Sequence, residues 1–106
     1  MSIYSDERIA SGFEKEKIQR ASELFKSIGD PTRLEILCLL LKGERQVGEL
    51  AKALDHTQSA ISHQLRLLRN LKIVRSQRKG KFINYSLDDS HIEELIRVAF
   101  THAHET

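Results

Sequence analysis

Four side chains near the end of this 106-residue chain carry the chemistry of metal ligands: Asp89 and His91, then His102 and Glu105. Imidazole nitrogen and carboxylate oxygen are donors that zinc accepts at about 2.0–2.2 Å in a tetrahedral shell of four. His102 follows His91 by eleven residues. At 100° per residue that is about three turns plus 20°, so on a helix the two rings share nearly one azimuth. Glu105 lies one turn further along the same side. The same stretch of helix spans roughly 16 Å, too far for both pairs of one chain to hold one ion. Two copies packed antiparallel about a two-fold axis would solve this. Asp89 and His91 of one copy would then face His102 and Glu105 of the other, making two equal sites. His104 points away in a regular helix and is a spare donor. The donor set suits Co(II) and Ni(II) as well as Zn(II). An ordinary alternative stands beside this one. Histidines near a helix C-terminus favour its dipole, and an aspartate before a helix is a common cap. Spacing alone leaves both readings open.

A second constellation lies upstream. Net charge is only +2, but it is unevenly spread. Residues 1–55 carry nine basic and ten acidic residues, and residues 88–106 carry one basic and five acidic. Between them, residues 56–87 hold Arg66, Arg69, Lys72, Arg75, Arg78, Lys79 and Lys81 and no acid at all. Such a block calls for a polyanionic partner, since Lys and Arg displace the counterions that surround duplex DNA.

The elements that must position these residues can be read in outline. A helix is expected from about Glu7 to Ser27, with Ile18, Ala21, Phe25 and Ile28 at helical spacing and Leu24 beside them. Gly29 ends it, and residues 1–7 are expected to be loose. Asp30-Pro31 opens the next helix, an N-cap followed by proline at the first helical position. Leu34, Leu37, Cys38 and Leu41 line one face, and Ile36 and Leu40 widen it, so this helix should be central and buried. Val47–Leu54 forms a short helix, Asp55-His56 a turn, and Thr57 caps a helix over Gln58–Asn70. That pair, residues 47–70, is a helix-turn-helix.

In its second helix Ile61, Leu65 and Leu68 face inward, while Gln58, Ser59, Ser62, His63 and Arg66 face out. Such a helix enters the major groove with its N-terminal residues leading. Gln58 can read adenine, and Ser59, Ser62 and His63 can reach base edges or phosphates. Residues 72–87 alternate as two strands joined at Lys79-Gly80, a two-stranded wing. Its cationic tip, Arg78, Lys79 and Lys81, suits the adjacent minor groove or the backbone. A last helix over residues 89–105 carries Ile92, Leu95, Ile96 and Ala99 as its apolar stripe. The expected fold is mainly α with a β-hairpin: a single winged helix-turn-helix domain of about five helices, forming a homodimer through the last helix.

Several classes fall away. One cysteine, Cys38, excludes an internal disulfide framework, fits a reducing cytoplasm, and reads as a core residue. No apolar run approaches the ~20 residues of a membrane span, and no signal peptide is expected. Four protein ligands would close a metal site that catalysis needs open to water, and no nucleophile-and-base motif appears, so no enzyme and no small-molecule substrate are expected. A winged helix that binds protein is the remaining alternative to DNA.

Three separated motifs resemble one family. They are Asp30-Pro31-Thr32-Arg33-Leu34-Glu35-Ile36-Leu37, then Gln58-Ser59-Ala60-Ile61-Ser62-His63-Gln64-Leu65, then the hairpin ending in Tyr85-Ser86-Leu87. In this order and spacing they are similar to the ArsR/SmtB family of metal-responsive repressors. Asp89-Ser90-His91 and His102-Ala103-His104-Glu105 resemble the C-terminal-helix donor pairs of its zinc sensors. The helix Val47–Leu54 lacks the cysteine pair of the thiolate members. The resemblance implies a cytoplasmic dimer that binds an imperfect palindrome and releases it when Zn(II) binds, controlling genes for metal efflux or sequestration.

Overall fold

The computed structural model describes Gly12 and residues 14–105. Five helices and three short strands follow in the order α1 (Lys15–Ile28), α2 (Pro31–Leu40), β1 (Arg45–Gln46), α3 (Val47–Leu54), α4 (Gln58–Asn70), β2 (Val74–Lys79), β3 (Phe82–Leu87) and α5 (Ser90–Glu105). The expected looseness of residues 1–7, and the start of the first helix near Glu7, lie outside the described residues. No helix among the described residues is long and apolar enough to cross a membrane.

Local signals set most of these boundaries. Asp30 accepts a hydrogen bond from the Arg33 N–H at 3.0 Å and, with Pro31 behind it, starts α2. Thr57 does the same for α4 through Ala60 N–H, also at 3.0 Å. Gln46 lacks a short side-chain oxygen, but its N–H donates to Glu49 Oε1 at 2.9 Å, so the first turn of α3 is still tied down.

The helices pack through the faces their periodicity sets aside. Ile36, Leu37, Leu50, Ile61, Leu65, Leu68, Ile73 and Ile96 are fully buried, with Leu40 and Ile92 nearly so. Each such side chain contributes roughly 1.5–3 kcal/mol when removed from water. Around this core the sheet runs in the order β1-β3-β2, antiparallel throughout. β2 and β3 pair from Val74 with Leu87 to Lys79 with Phe82, and Arg45 and Gln46 of β1 pair with Tyr85 and Asn84.

The wing is therefore three-stranded rather than two-stranded, because the two residues before α3 extend along β3. Two residues are too short a run for alternation to be read. The hairpin loop is Gly80-Lys81, one place later than expected, with Gly80 at φ +64° in the first loop position. The first wing strand begins at Val74 and not at Lys72, for a reason found at the end of α4. Lys72 sits at φ +58°, its N–H donates to Arg69 O at 3.0 Å, and Ile73 N–H donates to Leu68 O at 2.9 Å. Those two bonds, with Leu68 and Ile73 both buried, form a Schellman motif with Lys72 at the left-handed position. The end of α3 repeats it. Asp55 is at φ +55°, and His56 N–H donates to Ala51 O at 2.9 Å.

Three apolar expectations change. Phe25 is 61% exposed and Ala21 is exposed as well, so the stripe of α1 is buried only at its end, by Ile28 with Leu24 half-covered. Cys38 is half-buried and not a core residue. It lies on the outer side of α2, in an apolar groove with Leu34, Leu39, Leu54 and Phe100, and desolvation there, the first cause, raises its thiol pKa. Ala99 of α5 is exposed, while Ile92 and Ile96 hold that helix to the core.

Left-handed backbone disfavours a side chain with a Cβ, so Lys72→Gly is expected to stabilise the fold by up to about 1 kcal/mol. Urea denaturation reads this directly, and a loss of stability would contradict the cap geometry.

Candidate nucleic-acid interface and metal-ligand pairs

The outward face of α4 follows from how its other face is held. With Ile61, Leu65 and Leu68 fully buried, residues 59, 62, 63 and 66 must point the opposite way. Ser59, His63 and Arg66 are exposed and Ser62 is half-buried. Gln58 is exposed at the helix start, yet its amide lies against α3. A methyl group at Gly48 would come within 3.4 Å of Gln58 Nε2.

Two contacts that the sequence reading passed over fix this helix from outside. Arg33 Nε donates to Gln64 Oε1 at 2.8 Å, binding the start of α2 to the middle of α4. Arg69 Nη1 donates to Ser76 Oγ at 3.3 Å, binding the end of α4 to β2. Arg33 stands in a motif, and Arg69 in the basic block, already visible in the chain. The missing information was the partner, which is 31 residues away for Arg33.

Strand alternation divides the wing's cations between two faces. Arg78 shares a face with Ser76 and buried Val74, and pairs across the ladder with Ile83. Lys79 shares the opposite face with Arg75 and Gln77. There Lys79 Nζ lies 2.7 Å from Glu44 Oε1, which also accepts from Asn84 Nδ2 at 3.0 Å. The Lys79 hydrogen bond, first among its causes, holds the Glu44 carboxyl below the usual range. Lys81 stands in the turn with its ammonium 5.8 Å from the centre of the Phe82 ring.

The donor pairs occupy the two ends of α5. Asp89 caps that helix, since its Oδ1 accepts from His91 N–H at 2.9 Å and Ile92 N–H at 3.1 Å. Its other oxygen, Oδ2, stands 3.7 Å from His91 Nδ1. The backbone bond from Ile92 leads the causes that lower the Asp89 pKa. The carboxylate therefore stays ionised with one oxygen fixed and one turned towards the imidazole. At the far end His102 and Glu105 are exposed and border one groove with Glu94, Arg97, Val98 and Thr101. Arg97 is held by Glu93 Oε1 at 3.2 Å. His104 is exposed on the same last turn. No three of the described His, Cys, Asp and Glu residues gather where one ion could be held. A single protomer offers pairs and not a full shell.

A helix-turn-helix backed by a three-stranded wing, with a polar face on the second helix and cations around it, defines a winged-helix DNA-binding regulator. This chain belongs to the arsR family of bacterial regulatory proteins, whose family model matches residues 30–76. It is 36% identical to the cadmium resistance transcriptional regulatory protein CadC homolog of Staphylococcus aureus, over 92% of this chain and 82% of that one. Identity is 37% to the transcriptional repressor SmtB homolog of Synechocystis, over 86% and 69%. Among solved structures it resembles the homodimeric winged helix-turn-helix DNA-binding domain Mb0332 of Mycobacterium bovis. There the TM-score is 0.81 at 27% identity, covering 99% of this chain and 92% of that one. These relatives are transcriptional regulators and not enzymes.

The Arg33–Gln64 bond carries an expectation of its own. Arg33→Met should cost about 1 kcal/mol in unfolding free energy, because Gln64 then loses its partner in a half-buried setting. Adding Gln64→Met should cost little more. Fully additive losses in that double-mutant cycle would show that the two side chains act independently.

Proposed function

We propose that this regulator is a homodimeric repressor that leaves its operator when Zn(II), or Co(II) or Ni(II) in its place, is bound by Asp89 and His91 of one protomer with His102 and Glu105 of the other. One observation carries the reading. Asp89, fixed at the helix cap by two backbone N–H groups, keeps its second oxygen 3.7 Å from His91 Nδ1, so two donors of different kind are held side by side at the surface. Hydrogen bonds of this sort, made behind a metal-ligating carboxylate, orient it towards the ion. The donors suit a borderline divalent ion, and each protomer supplies pairs, which fits sharing between two copies. Phe25 on α1 and Val98 on α5, both about 60% exposed, are apolar surface that a second copy would cover. When bound, the ion would supply a charge and four directional bonds joining the two helices.

The chain's own residues do the rest. α4 presents Gln58, Ser59, Ser62, His63 and Arg66 to the major groove, and Arg78 and Lys81 extend the contact along the duplex. In a dimer the two α4 helices would sit in successive major grooves of an imperfect palindrome. Because α5 is anchored through Ile92 and Ile96, a force at its exposed ends reaches the core beneath α4. Genes under such control would export or sequester the ion. A second reading has its own support. Asp89 already serves as a cap, so the donor pairs could be structural and another signal could set DNA affinity.

A duplex selected from random sequence by the metal-free protein separates the two. Zinc is expected to weaken its binding by roughly 5- to 150-fold, and bound duplex to weaken zinc by the same factor. In His102→Ala zinc should leave duplex binding unchanged. Asp89→Ser, which keeps a capping oxygen, should fold normally yet lose the response. Equal wild-type affinities with and without zinc would leave the second reading standing.

A further inference from the structure

The tip of the wing carries three cations, Arg78, Lys79 and Lys81, and one of them is already occupied. Glu44, in the turn before β1, accepts from Lys79 Nζ at 2.7 Å and from Asn84 Nδ2 at 3.0 Å through a single oxygen. Asn84 is locked in place because β3 pairs with both neighbours: Asn84 faces Gln77 on one side and Gln46 on the other. The Glu44 side chain is thus held against the outer face of the sheet, and Lys79 is folded back on it. Arg78 lies on the other face and Lys81 in the turn, and neither has an acidic partner among the described residues. Glu44 sits beside the one region of the chain without an acidic residue, and it faces into that region from outside.

We propose that Glu44 sets the affinity of the wing's tip for DNA: it withholds Lys79 from phosphate, so that the tip engages the duplex with Arg78 and Lys81 alone. Phosphate contacts add affinity without regard to sequence. Glu44 therefore lowers binding to operator and to unrelated duplex together and leaves the preferred sequence unchanged. This assignment rests on the reading of the wing as a DNA-contacting element. It also removes Lys79 from the contact set that the sequence suggested.

Fluorescence anisotropy of the full chain on two duplexes, the selected one and a scrambled one, tests this between 50 and 200 mM NaCl. Glu44→Gln keeps an oxygen for Asn84 and removes the charge. It is expected to tighten binding to both duplexes. Its advantage over wild type should be about 3- to 4-fold larger at 50 mM than at 200 mM, the effect of one added phosphate contact at a slope near −0.9. Adding Lys79→Ala to Glu44→Gln should return the salt slope to the wild-type value. Arg78→Ala and Lys81→Ala in the wild-type background should each flatten the slope by about one contact. The proposal is overturned if Glu44→Gln leaves affinity and slope unchanged, or weakens binding, while Arg78→Ala flattens the slope. It is likewise overturned if the Glu44→Gln, Lys79→Ala double variant keeps the steeper slope. Should neither Arg78→Ala nor Lys81→Ala alter the slope, the wing does not contact DNA, and the assignment of Glu44 falls with that reading.

Discussion

A helix that reads DNA must be gripped firmly on one side and left bare on the other. Here that division is made by Ile61, Leu65 and Leu68, which have no exposed surface at all. They meet Leu37 of α2, Leu50 of α3 and Ile73 beside the wing in the same core. Everything else about α4 is subordinate to this grip. Thr57 sets where the helix starts, the turn at Asp55 sets the angle at which α3 delivers it, and Arg33 and Arg69 fasten its flank and its end. Replacing any one of the three buried side chains by alanine would remove about 2–5 kcal/mol, a large share of the stability of so small a domain.

Charge is sorted along the chain so that the held and the free surfaces differ in sign. The acidic residues of α5 lie on the helix that carries the donor pairs, and the basic block lies on α4 and the wing. This separation gives α4 and the wing a positive surface and α5 a negative one. At Glu44 and Lys79 the two signs meet across the sheet, between residues 35 apart in sequence. α5 is held to the core at one end only. Its buried residues, Ile92 and Ile96, are near its start and middle, while its last turns stand clear of the core.

The outline of this fold was legible because helix caps and apolar spacing are local. Asp30-Pro31, Thr57 and the Ile61-Leu65-Leu68 stripe behave as their spacing demands. What escaped the sequence was non-local or chemically disguised. β1 exists because β3 offers it an edge, and nothing in Arg45-Gln46 announces a strand. The left-handed caps at Asp55 and Lys72 lack the glycine that usually marks them, so both turns looked ordinary. Phe25 reads as a core residue by spacing but is exposed, because periodicity specifies a face and not what covers it. For Asp89, the sequence left capping and ion binding side by side; one of its oxygens is engaged by the backbone as a cap, while the other stands beside His91.

The cap at Lys72 has one more consequence. Between the last residue of α4, Asn70, and the first of β2, Val74, the chain has three residues, and all three donate backbone hydrogen bonds back into the helix. There is no slack between α4 and the wing. The two must travel as a single stiff body, like the prongs of a fork. If α4 and the wing both touch DNA as proposed, a half-site for this protein would have a fixed internal length. An extra base pair between its major-groove and flanking contacts would have to be absorbed by bending or twisting the DNA, since the protein has no joint with which to absorb it.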